Sequence, residues 1–152
     1  MTRFTGNIFA KMDAKGRAFV PAAFRKLLSQ SGEDELILRK DIYKNCLVLY
    51  PSLSWNEELN QLRQKLNKWD ELEQSLYRQF IFDSEILKMD ANGRILIPKR
   101  YQQMAGISGE IRFVGIDNTI EIWSCAKVEE ELMSPDAFKE NMQKILGGSR
   151  YE

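Results

Sequence analysis

Met12-Asp13-Ala14-Lys15-Gly16-Arg17 returns, with one residue changed, as Met89-Asp90-Ala91-Asn92-Gly93-Arg94, and in each copy a proline, Pro21 or Pro98, stands four positions beyond the arginine. Sliding the chain along itself by 77 residues also pairs Lys11 with Lys88 and Phe24 with Tyr101. Further on the offset shrinks, as it does where connecting loops differ. Glu35-Leu36 falls against Glu110-Ile111, and Leu47-Val48-Leu49-Tyr50 against Ile120-Glu121-Ile122-Trp123. One small unit is encoded twice.

Within the first unit, Ile8, Ala10 and Met12 alternate with Asn7, Phe9 and Lys11, Asp13 to Gly16 make a turn, and Ala18 to Val20 return. This pattern predicts a β-hairpin. Gly16 and Gly93 suit the positive φ of a tight turn, and an aspartate at its start can accept amide hydrogens. Pro21 lacks an amide hydrogen and is placed at the first position of a short helix, Pro21 to about Ser29, with Phe24, Leu27 and Leu28 as its buried stripe. Gly32 with Glu33-Asp34 breaks the pattern, and two strands follow, Leu36 to Leu38 and Leu47 to Tyr50. The second unit repeats the order: Glu85 to Met89, Arg94 to Ile97, a helix from Pro98 to about Met104 closed by Gly106, then Glu110 to Val114 and Thr119 to Trp123.

The segment between the units is of another kind. Trp55, Leu59, Leu62, Leu66, Trp69, Leu72, Leu76 and Phe80 recur at steps of three and four, behind a capping box of Ser54 and Glu57. The spacing predicts an amphipathic helix or two, broken at Asn67-Lys68 and Asp70, its stripe packing on the strands or on a neighbouring subunit. Tyr50 and Trp123, at matching strand ends, read as core or interface aromatics. Ser134-Pro135 starts a last helix with Phe138, Met142, Ile145 and Leu146 on one side; Gly147-Gly148 ends it before a loose tail. The divisions are a first repeat over 4–51, a helical connector over 52–81, a second repeat over 82–125 and a C-terminal helical segment over 126–147.

With 152 residues, 43% of them hydrophobic, the chain can bury one core, and neither half suffices alone. Basic and acidic residues number 22 each, so net charge says nothing about partners, but its distribution does. Residues 1–26 carry six bases and one acid, whereas 113–152 carry eight acids and four bases. Cys46 and Cys125 occupy non-equivalent places, so no repeated crosslink or metal site is encoded, and a reducing compartment is the simplest reading. Neither a leader-like apolar run nor a stretch of about 20 apolar residues occurs, which points to a soluble cytoplasmic protein with no membrane partner.

Phe4-x-Gly6, Asp13-x-Lys15-Gly16-Arg17 and Pro21-x-x-Phe24-Arg25, followed by Asp90-x-x-Gly93-Arg94-x-x-x-Pro98, resemble the MraZ family of bacterial transcriptional regulators. Ala105-Gly106, Val114-Gly115 and Glu121-Ile122-Trp123 belong to the same likeness, which runs from Phe4 to about Leu146. The resemblance implies an α+β fold of tandem SpoVT-AbrB repeats forming a swapped-hairpin β-barrel, with helices between and after the repeats. It further implies ring-like homo-oligomers, nucleoid-associated, that bind double-stranded DNA at repeated elements upstream of the division and cell-wall gene cluster.

Arg3, Lys11, Lys15, Arg17, Arg25 and Lys26 form the candidate DNA-binding set, with Lys15 and Arg17 on one turn at its centre, as phosphate binding requires. Asp13, Gly16, Asp90, Gly93 and Arg94 form a structural set, in which Asp13 with Arg17 and Asp90 with Arg94 can pair either across their own hairpin or between copies. The second copy has Asn92 for Lys15 and Gln102-Gln103 for Arg25-Lys26, so the first hairpin is expected to carry most of the DNA contact.

An enzyme is disfavoured. Histidine is absent, removing the commonest general base near neutral pH. No P-loop, dinucleotide fingerprint or clustered metal-ligand motif is present, and no cofactor is implied. A DNA-binding regulator accounts for the repeat and the basic hairpin. An AbrB-like antitoxin and a purely structural oligomer are the alternatives.

Overall fold

Along β1 (Phe4–Lys11) every second side chain turns inward, and Phe4 is almost completely buried while Lys11 is exposed. The computed structural model describes residues 3–32 and 35–147, so the break expected at Glu33-Asp34 and the tail from Gly148 lie outside the described residues. After β1 come β2 (Arg17–Phe19), α1 (Ala22–Gln30), β3 (Glu35–Lys40) and β4 (Leu47–Pro51). The connector is α2 (Ser52–Lys65) and α3 (Glu71–Phe82). The second unit then supplies β5 (Ser84–Lys88), β6 (Arg94–Leu96), α4 (Lys99–Ala105), β7 (Glu110–Asp117) and β8 (Thr119–Ser124), and α5 (Pro135–Leu146) closes the described chain.

The expected hairpin is closed at its turn, where Asp13 N–H donates to the Arg17 carbonyl at 2.8 Å and Gly16 N–H to that of Asp13 at 3.0 Å. Beyond the turn its two strands part. β1 pairs antiparallel with β7, from Phe4 opposite Asp117 to Lys11 opposite Glu110, and β2 pairs with β6. In the second unit β5 likewise pairs with β3 of the first. A three-residue β2 that buries Ala18 alone cannot hold an eight-residue partner, whereas exchange gives every strand a partner from the other copy.

The result is a six-stranded sheet, β1-β7-β8-β4-β3-β5, and a separate two-stranded ribbon, β2-β6. Exchanging each strand for its repeat counterpart reverses that order and leaves it unchanged, so the sheet has internal two-fold symmetry. The local axis passes where equivalent residues face each other, at Ala18 with Ile95 in the ribbon and at Val48 with Glu121 between β4 and β8.

One core serves both copies. Phe4, Phe24, Leu28, Leu36, Leu38, Leu47 and Leu49 from the first pack with Ile95, Ile97, Tyr101, Ile111, Phe113, Ile120 and Ile122 from the second. Ala18 and Ile95 carry the ribbon into the same cluster. Phe4 meets Phe24 edge-on at 5.5 Å. Tyr101 replaces Phe24 in the second copy and, fully buried, donates its hydroxyl to the Asp83 carbonyl at 2.9 Å.

Several local expectations are corrected. Pro21 and Pro98 are the N-caps of α1 and α4, one position before the first helical residue, with extended ψ of 139° and 148°. Ser54 caps nothing, because α2 already begins at Ser52; its hydroxyl donates to the Asn118 carbonyl at 2.7 Å. A side-chain cap lies at the second helix of the connector, where Asp70 accepts from Glu73 N–H at 2.9 Å; Glu73 reaches back past Asp70 to accept from Asn67 N–H at 2.9 Å, so the reciprocal half of a capping box is not made. The break between α2 and α3 falls at 66–70, as the spacing indicates. Near the sheet this helical pair is anchored by Trp55, stacked on Phe80 at 5.6 Å and edge-on to Tyr50 at 5.1 Å, and by Arg39, whose guanidinium lies 4.1 Å above the Phe80 ring. Further out the stripe is bare, Trp69 and Leu72 being exposed, as are Phe138, Ile145 and Leu146 on α5. Among the described residues no helix is long and apolar enough to cross a membrane.

Candidate nucleic-acid interface

Each turn is a small hydrogen-bonded clasp. Asp13 Oδ1 accepts the backbone N–H groups of Lys15 and Arg17, both at 2.9 Å, while Oδ2 accepts Arg17 Nε at 2.8 Å. Asp90 does the same with Asn92, Arg94 and Arg94 Nε, all at 2.9 Å. Of the two pairings open to these residues, both copies adopt the one within the turn. Gly16 at φ +91° and Gly93 at φ +85° supply the backbone that lets the carboxylate reach two amides. Because Nε carries the clasp, the Nη groups of Arg17 and Arg94 remain for other acceptors.

The Arg17 N–H holds the Asp13 carboxyl below its ordinary value of 3.8; partial burial opposes this, and the guanidinium and the Lys15 N–H add to it. Asp90 is lowered in the same way by Arg94 N–H first. A folded-state value below the unfolded one adds stability above the unfolded pKa, and that stability is lost as pH falls through the folded value. The double variant Asp13→Asn/Asp90→Asn is therefore expected to melt a few degrees below the parent at neutral pH and to lose less on acidification below about pH 4. Melting curves across that range check this; parallel acid profiles would remove the assigned role of the two aspartates.

Strand exchange decides what surrounds each turn. The Gly16 carbonyl accepts Ile97 N–H at 2.8 Å and the Gly93 carbonyl accepts Val20 N–H at 3.0 Å, so each turn is tied to the other copy. The helices follow. Gln102 of α4 lies over Gly16 and donates to the Ile97 carbonyl at 2.8 Å. Its counterpart Arg25 of α1 lies over Gly93 and donates from Nη1 to the Asn92 carbonyl at 3.4 Å.

Arg25 and Lys26 thus border a cleft with Met89, Asp90, Asn92 and Gly93, not with the turn of their own copy. The expected concentration of charge on the first hairpin is corrected accordingly. Lys15 and Arg17 sit at the first turn, while Arg94, Arg25 and Lys26 gather at the second.

Between the turns runs the ribbon. Ala18 and Ile95 point into the core, so Arg17, Phe19, Arg94 and Leu96 share its outer face, where Phe19 is 55% and Leu96 52% exposed. The Arg94 guanidinium lies 5.8 Å from the Phe19 ring across the strands. Sequence reading left these two apolar residues out, although period-two alternation with Ala18 and Ile95 marks them as outward. Lys11 ends β1 beside the first turn. Arg3 does not join it: it stands at the other end of β1, roughly 26 Å away by strand rise, and pairs with Asp117 at 3.4 Å.

Fold and turns together define a tandem-repeat scaffold that sets two matched Asp–Arg clasps at the ends of one β-ribbon, with Lys15 at the first and Arg25 and Lys26 beside the second. A family model described as "MraZ protein, putative antitoxin-like" matches residues 4–78 and again 81–138. The chain is 55% identical over 150 residues to the Transcriptional regulator MraZ of Bacteroides fragilis, covering 99% of this chain and 95% of the relative. Proteins of the same name from Bacteroides thetaiotaomicron and Phocaeicola vulgatus are 53% identical over 146 residues and 50% over 145, covering 96% and 95% of this chain and 94% of each relative. The chain belongs to the MraZ family. The shared name of these relatives supports a regulatory role, which is not an enzyme class.

Proposed function

We propose that this protein is a sequence-specific, double-stranded-DNA-binding transcriptional regulator that docks through the β2-β6 ribbon and its two turns. The observation that carries the reading is the exchange itself, which brings Lys15 and Arg17 to one end of a two-stranded ribbon and Arg94, Arg25 and Lys26 to the other. A two-stranded ribbon fits the major groove, and cations at both its ends suit the phosphates of the flanking backbones. Sheet and ribbon wrapped on one core serve as the swapped-hairpin barrel that holds the ribbon rigid. One ribbon per chain makes few phosphate contacts, so specificity requires several chains on repeated elements. The bare apolar side chains of α3 and α5 support a homo-oligomer, a ring in the family's manner, working at the nucleoid in the cytoplasm on repeats upstream of the division and cell-wall gene cluster.

The test is a mobility shift of the purified protein on its own upstream region against a scrambled duplex at physiological salt. Binding is expected to favour the native region at least a hundredfold and to fall far more than proportionally when several repeats are cut to one. Equal affinity for native and scrambled DNA would overturn the reading. A toxin co-purifying in its place would favour the antitoxin that the family model's description mentions.

A further inference from the structure

On the face of the sheet away from the shared core, the repeat breaks its own symmetry at the β4-β8 axis, where Glu121 faces its counterpart Val48. Val48 is buried with Ile37 and Tyr50 against Trp55. Glu121 meets the β3-β4 connection, and there one donor atom each from Asp41, Cys46 and Glu121 all lie within 4.8 Å of one another. Cys46 is 0% exposed, and among the described residues its thiol has no hydrogen-bond partner.

Both carboxylates are already oriented through one oxygen. Asp41 Oδ2 accepts the N–H groups of Tyr43 at 3.1 Å and Lys44 at 2.8 Å, and Glu121 Oε1 accepts Trp123 Nε1 at 2.9 Å. Each has a second oxygen to offer. The nearby lysines are engaged elsewhere: Lys40 Nζ donates to the Asp41 and Lys44 carbonyls, both at 3.0 Å, and Lys44 pairs with Glu131 at 3.4 Å. Neither Asp41 nor Glu121 has an ion-pair partner among the described residues. Two carboxylates and a buried thiol converge here, and Lys40, the cation that acts on the thiol, spends its ammonium on backbone carbonyls, so a bound cation would compensate the grouping.

We propose that Asp41, Cys46 and Glu121 are the protein ligands of a zinc-type divalent metal site, with water at a fourth position. A tetrahedral ion with bonds of about 2.3 Å to sulfur and about 2.1 Å to oxygen holds its donors about 3.5 Å apart, so a closure of about 1 Å completes the set. The thiolate selects a borderline-soft ion over calcium or magnesium. On binding, the Cys46 S–H bond breaks, its electron pair stays on sulfur and forms the S–metal bond, and the proton leaves to solvent; nothing is oxidised or reduced. The N–H groups of Tyr43, Lys44 and Trp123 become the outer shell that fixes the carboxylates. The half-buried carboxylates provide the entry path. A metal held there fastens the 41–46 connection of the first copy to β8 of the second.

Titration of the full chain with Co²⁺ and Zn²⁺ tests this. One Co²⁺ per chain is expected, with thiolate-to-cobalt charge-transfer absorption that Zn²⁺ abolishes by displacement, and Zn²⁺ but not Ca²⁺ is expected to raise the melting temperature. Cys46→Ser should lose the charge-transfer band and Cys125→Ser should keep it. Glu121→Gln and Asp41→Asn should each weaken Co²⁺ binding about tenfold or more. If Cys46→Ser does not fold, judged by circular dichroism, Glu121→Gln decides. Unchanged Co²⁺ affinity in Glu121→Gln, a band lost with Cys125 instead of Cys46, or neither band nor melting shift in the parent protein would each overturn the proposal.

Discussion

Gly115→Ala is expected to cost about 3 kcal/mol and to lower the melting temperature by roughly 10 °C. Gly115 of β7 faces Gly6 of β1, and a Cβ placed on it would stand 2.5 Å from the Phe4 carbonyl carbon, 2.6 Å from Thr5 N and 2.7 Å from the Phe4 oxygen. All three are backbone atoms, so no rotamer change relieves the clash. β1 itself must move, and Phe4, buried against Phe24, moves with it. Gly109→Ala is the control: a Cβ there would meet nothing within 4 Å, and unlike Gly115 it carries a positive φ of +63°, so its cost is of the backbone kind. It should cost about 1 kcal/mol, the backbone penalty alone. Chemical denaturation of both variants compares them, and a Gly115→Ala no worse than Gly109→Ala would show that β1 and β7 are not locked at this crossing.

That pair of glycines also shows what could be read from the sequence. Phe4-x-Gly6 and Val114-Gly115 were visible as separate fragments of a family pattern, and nothing in their spacing said that they touch. Local features were legible because local physics sets them: the Asp-to-Gly turns, the αL glycine after α4, the break before Asp70. Pairing was not legible in the residue pattern, because a short strand such as β2 satisfies the same alternation whichever partner it takes; only the family resemblance implied exchanged hairpins. From that one ambiguity came the misplacement of Arg25 and Lys26, which sequence proximity assigns to the first turn and exchange delivers to the second. The 77-residue offset held the needed clue, since it matches Arg25 with Gln102, and the structure puts these two over opposite turns. Ser54 misled for another reason: its hydroxyl finds the Asn118 carbonyl, a partner 64 positions away that no local pattern contains.

Removing charge from the second turn is expected to weaken DNA binding as much, charge for charge, as removing it from the first, and this separates the exchanged arrangement from a first-hairpin reader. Arg25→Gln/Lys26→Gln gives α1 the Gln-Gln pair that α4 carries at Gln102-Gln103, so the packing over Gly93 has a working precedent over Gly16. If both side chains meet phosphates, the slope of log affinity against log salt falls by about 1.8, and adding Lys15→Ala brings the loss to about 2.7. Lys15 is a clean probe because its side chain takes no part in the clasp, whereas Arg17 holds Asp13 through Nε and its loss would confound contact with stability. Losses from opposite ends of the ribbon should add, because the sites share no partners. Salt-dependent titrations of the three variants, each checked for native melting, supply the slopes. A full effect of Lys15→Ala beside an unchanged slope in Arg25→Gln/Lys26→Gln would confine DNA contact to the first turn and leave Arg25 a packing residue.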